Sequence, residues 1–138
     1  MAVPKHKRKE SDIRFLINAE DLQQKTHDAV MTDGYVPKKY RYIWTQEVFK
    51  ISMEIYENAR KANEIYPRDE SALKNRLYLL LKAQTDTEAL KGQISFARKN
   101  FDIPSGTLKE WEKLCVETRN SLKRRREKDF ERFEKNLK

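Results

Sequence analysis

Residues 71–101, SALKNRLYLLLKAQTDTEALKGQISFARKNF, decide the fold. Leu73, Leu77, Leu80, Ala83, Thr87, Leu90, Ile94, Ala97 and Phe101 recur at steps of three and four over about eight turns, the rhythm of a helix with one apolar face. Asp69 and Ser71 stand where a cap would satisfy the free N–H groups of the first turn, so the expected helix covers 69–101. Gly92 lies inside it at a cost of about 1 kcal/mol relative to Ala, which packing against a close neighbour would offset. The polar run Gln84 to Glu88 either faces outward or marks a local break.

The same rhythm extends to both sides. Trp44, Val48, Ile51, Ile55, Ala59 and Ala62 form a narrow seam, widened by Met53 and Tyr56, on a helix expected over 43–66 that stops before Pro67. Phe15, Leu16, Ala19, Leu22, Thr26, Ala29 and Val30 define a helix over 11–33, capped by Ser11 or Asp12 and ended by Gly34. Leu108, Trp111, Leu114, Cys115, Thr118 and Leu122 define a fourth over 105–130, with Ser105 or Thr107 as cap. Phe133 and Leu137 continue at helical steps outside the main core. Four amphipathic helices with short connections predict an all-α, antiparallel up-down four-helix bundle over 11–138, its helices crossing at about 20°. The first ten residues, MAVPKHKRKE, hold too little apolar surface to order themselves by burial and are expected to form a flexible basic arm.

Composition agrees with this architecture. The 138 residues include only three Gly and four Pro, too few for the tight reversals of a β-sandwich or a glycine-rich phosphate loop. Charged and apolar residues each make up 38%, and mean hydropathy is -0.96. One cysteine, Cys115, excludes an internal disulfide and a cysteine zinc cluster. No stretch approaches the roughly 18 apolar residues of a membrane span, and the N-terminus lacks the apolar core of a signal peptide, so a cytoplasmic protein with no membrane association is expected.

Catalytic chemistry finds little support. Di-iron bundles require paired Glu-x-x-His motifs, and neither His6 nor His27 fits one. Cys115 sits on the apolar face between Trp111 and Thr118 and reads as a buried structural thiol. Carboxylates such as Glu54 and Glu57 have cations at nearby helical steps and read as solvated pairs. The expectation is a non-enzyme with no catalytic residue, metal site or cofactor.

Positive charge is the feature that stands out. The chain carries 30 Lys and Arg against 22 Asp and Glu, a formal +8, and the excess is gathered in three places. These are the arm with Lys5, Lys7, Arg8 and Lys9; the connection with Lys38, Lys39 and Arg41; and the run Arg119, Lys123, Arg124, Arg125, Arg126 and Lys128. Three adjacent arginines cover most of a helical circumference and cannot all serve intramolecular partners. Up-down topology puts the arm beside Arg124 to Arg126 at one end and the connection at the other. The thirteen cations are therefore candidate contacts to the backbone of RNA, DNA or both. Tyr35, Tyr40, Tyr42 and Trp44 interleave with the cations of the connection, and two readings stand: a stacking platform for unpaired bases, or packing residues closing the bundle end or a subunit interface.

Three segments also carry a family resemblance: VPKKYRYIWTQEVFKISMEIYENARKAN, LKNRLYLLLKAQTDTEALKGQISFARKNF and IPSGTLKEWEKLCVETRNSLKRRREKD. Over roughly Phe15 to Asp129 the chain resembles the small four-helix bundle family that contains the accessory variability determinant of diversity-generating retroelements and the proteins encoded in intervening sequences of 23S rRNA genes. Pro37, Lys38, Lys39, Tyr40 and Arg41 match the stretch that leads into that family's second helix. Arg124 to Arg126 match its basic last segment, without the Trp found there. The resemblance implies a non-catalytic homopentamer that presents basic surface to nucleic acid and joins a reverse transcriptase and template RNA during mutagenic copying. An intervening-sequence-type protein and a protein-interaction scaffold are the alternatives.

Overall fold

The structure, a computed structural model, describes residues 12–137. The expected basic arm, 1–10, and with it Lys5, Lys7, Arg8 and Lys9, lies outside the described residues. Four helices follow: α1 (Arg14–Met31), α2 (Gln46–Glu64), α3 (Glu70–Asn100) and α4 (Ser105–Leu137). Each packs on its neighbours in sequence, and α1 also packs on α4, which closes the ring of an up-down bundle.

Local chemistry explains the boundaries. Asp69 caps α3 by accepting the Ala72 N–H at 2.8 Å, whereas Ser71 falls inside the helix. Asp12 does not cap α1; it turns to Arg125 of α4, and Ile13 holds the N-cap position with no side-chain bond. Gly34 ends the α1 exit turn at φ +84°, a left-handed conformation that side chains with a Cβ resist. The connection to α2 is itself helical, a 3₁₀ turn over Lys38–Tyr40 running into a π turn over Arg41–Thr45, so α2 begins at Gln46 rather than at the expected 43. At its far end α4 continues to Leu137, beyond the expected 130, because Phe133 is buried and meets the Tyr66 ring edge-on at 6.0 Å.

The core follows the helical seams. Phe15, Leu22, Val48, Ile55, Leu80, Leu90, Ile94, Trp111 and Leu122 are fully buried, and Ala19, Ala59, Ala62, Ala83 and Ala97 let the helices approach closely. Trp111 donates its indole N–H to Thr26 Oγ1 at 2.9 Å, and Thr26 in turn donates to the Leu22 carbonyl, so this buried polar pair is satisfied. Met53 does not widen the seam; it is exposed. Gly92 has open space where a Cβ would project, so no close neighbour among the described residues offsets its helix cost.

The polar middle of α3 neither breaks nor faces wholly outward. Thr87 is buried, returning its hydroxyl to the Gln84 carbonyl, and Asp86 is half-buried with Oδ2 unbonded. Burial, then the charge of Glu54, raises the Asp86 carboxyl above its ordinary value of 3.8, with Lys82 pulling the other way. A raised pKa means that the folded chain holds this proton more tightly than the unfolded one. The resulting stability is complete below about pH 3.8 and is lost as pH rises through the folded value, so the ionised carboxylate is a net cost near neutrality. Asp86→Asn is expected to raise Tm at about pH 7 and to leave it unchanged at about pH 3. Thermal melts at the two pH values check this; an equal gain at both would assign the effect to something other than charge.

Candidate nucleic-acid interface

The antiparallel arrangement separates the predicted basic stretches. Tyr40 and Trp44 meet Phe101 edge-on at 5.0 and 4.8 Å, which places Lys38, Lys39 and Arg41 at the end where α3 passes into α4. Asp12 lies 3.5 Å from Arg125, which places the start of the described chain beside the other stretch. About 20 residues of helix, from Ser105 to Arg125, separate the two levels on α4, or roughly 30 Å at 1.5 Å per residue.

The run on α4 divides into engaged and free cations. Arg119 pairs with Glu88 of α3 at 2.7 Å. Arg125 binds Asp129 through Nε and Nη2, both at 3.0 Å, and faces Asp12. Asp129 is 1% exposed and also accepts Nε of Arg76 at 2.7 Å, while Arg76 Nη1 donates to the carbonyls of Ala62 and Ile65, both at 3.1 Å. One arginine thus caps the C-terminus of α2 from α3 and is held by a carboxylate of α4. Arg125 belongs to that buried assembly, so it and Arg119 are not free surface charges. Arg126 is half-buried toward α3, lining a groove with Lys74, Leu77, Tyr78 and Phe130.

Lys123, Arg124 and Lys128 are exposed and make no ion pair among the described residues. Arg124 and Lys128 are one helical turn apart, and Arg132, also exposed, takes the next i,i+4 position, its guanidinium 5.3 Å from the Phe133 ring centre. Arg132 was absent from the cations picked out in sequence; the four-residue spacing from Arg124 was the signal that identifies it. The three make a stripe along one outer side of α4, and Lys123 stands apart on the side toward α3.

At the opposite end Lys38, Lys39 and Arg41 are all exposed. Lys39 Nζ lies 5.6 Å over the Tyr40 ring. Lys38 and Arg41 line a cleft of about 310 Å³ with Tyr35, Pro37, Asn100 and Asp102.

Comparison with known proteins finds no match: no family model, curated protein or solved structure matches the chain.

Cys115 is 1% exposed, and burial, aided by Glu112, pushes its thiol up to about 12, which leaves almost no thiolate at neutral pH. His27 is exposed beside Asp28, with Nδ1 3.1 Å from its carboxylate, and meets the Phe49 ring edge-on at 6.0 Å. Among the described residues no group of three or more His, Cys, Asp or Glu side chains is placed to hold a metal ion, and no helix is long and apolar enough to cross a membrane.

Proposed function

We propose that this chain is a non-catalytic nucleic-acid-binding bundle and, on the resemblance described above, an accessory subunit of a diversity-generating retroelement reverse transcriptase that acts as a ring of identical chains in the cytoplasm. The observation that carries the binding reading is the stripe Arg124, Lys128 and Arg132, exposed and without an acidic partner among the described residues, in a chain of formal charge +8. Its i,i+4 repeat sets charges about 6 Å apart along α4, close to the spacing of successive phosphates in a single strand. The mechanism is electrostatic: Lys and Arg displace condensed counterions from the backbone, and the polymerase chemistry belongs to the partner.

Self-association draws on other residues. Tyr78, Leu81 and Phe130 are exposed apolar side chains gathered at a groove between α3 and α4, a surface suited to a protein contact. The same residues support the scaffold reading, which a complex indifferent to salt and nuclease would favour.

Binding of labelled single-stranded RNA and of duplexes over a series from low to high salt tests the proposal. The expected log-log slope is about -0.9 per phosphate neutralised for duplex DNA and about -0.7 for single strands. Absence of binding at low salt, or binding without a slope, rejects it.

A further inference from the structure

The four aromatics of the α1 to α2 connection separate into two groups. Trp44 is buried, donates Nε1–H to Gln93 Oε1 at 2.9 Å and packs on Phe101; Tyr40 packs on the same ring; Tyr35 is half-buried against the core. Tyr42 is 78% exposed, and its neighbour Ile43 is 68% exposed. The cause is the π turn over Arg41–Thr45. Its extra residue lets Trp44 reach the core while two consecutive large side chains stay in water. π turns of this kind are frequent at functional sites.

We infer that Tyr42 is a stacking platform for an unpaired base, with its chain neighbour Arg41, which lines the cleft together with Lys38, holding the phosphate next to that base. The inference deepens the nucleic-acid reading and rests on it. A phenol ring takes the π-face of any base, so single strands are bound with little regard to sequence, and duplex bases, already stacked, gain nothing from it. The two cations outnumber the single acid of the cleft, Asp102, and its volume of about 310 Å³ is at the lower limit for ligand sites, right for one nucleotide rather than a folded partner. Tyr40 and Trp44, on either side of Tyr42, pack on Phe101, which fixes the backbone that carries Tyr42.

The test measures binding of fluorescein-labelled oligouridine and of an equally long RNA duplex to the full chain at one low salt concentration. Tyr42→Ala is expected to weaken the single strand roughly five- to a hundredfold, to leave the duplex and the salt slope unchanged, and to be rescued by Tyr42→Trp. Arg41→Ala weakens the single strand and lowers its salt slope, because it removes a phosphate contact. The exposure of Tyr42 leaves the fold intact in these variants, which circular dichroism checks. If the wild type binds both ligands and Tyr42→Ala binds the single strand equally well, the platform is rejected while the electrostatic reading stands. A shift in oligomeric mass with unchanged RNA affinity makes Tyr42 a protein contact and also rejects it. Failure of the wild type to bind either ligand removes the underlying reading and this inference together.

Discussion

Asp129→Ala is expected to destabilise the bundle by about 3–5 kcal/mol, enough to lower Tm by roughly 10–20 °C. The Asp129 carboxylate is 1% exposed and bridges Arg76 and Arg125. Truncation leaves two guanidinium groups, each about one-tenth exposed, facing each other without an acid between them. The damage also spreads to α2, because Arg76 can no longer be held where it caps the carbonyls of Ala62 and Ile65. Arg125→Ala removes only one of the two cations and leaves Arg76 on Asp129, so it is expected to cost less. Thermal or urea unfolding of the two variants measures both quantities. Equal and small losses would mean that the assembly contributes little, its desolvation balancing its attraction.

The second prediction concerns the free cations. Replacing Arg124, Lys128 and Arg132 by Ala removes three phosphate contacts of about 0.7 in slope each for a single strand, so the salt slope should fall by about two. Between roughly 1 M and 0.05 M salt, that slope amounts to an affinity loss of about a few hundredfold at the low-salt end. Stability should hardly change, since among the described residues none of the three pairs with an acid and only Arg132 rests on a ring, a contact worth about 0.5 kcal/mol at an exposed site. Arg125 must be left in place. A variant that replaces Arg124 to Arg126 together would damage the Asp129 assembly, and its loss of binding would not separate folding from contact. Titrations paired with melts check the triple variant, and undiminished affinity would shift the interface to the Lys38 and Arg41 end.

The helical seams were legible in the sequence because they are local. Phe15 to Val30, Val48 to Ala62, Leu80 to Ala97 and Leu108 to Leu122 announce their buried faces through a period of three and four, and the observed core follows them closely. The clustering of cations and their division between two ends were equally legible, since topology follows from short connections. Two local details were not. The π turn that exposes Tyr42 has no compositional signature, and Met53, expected to widen the apolar face of α2, lies outside.

What the chain's order of residues determined by itself is therefore the number of helices, their facing sides and the total charge. Which arginines remain available to a ligand was decided only in three dimensions. Arg124 and Arg125 are adjacent and chemically identical, yet Arg125 is bound to Asp129, itself held by Arg76 from 53 residues away, while Arg124 faces water. A rotation of 100° per residue about α4 separates those two fates, and the register of α3 against α4 sets which side of that rotation meets an acid.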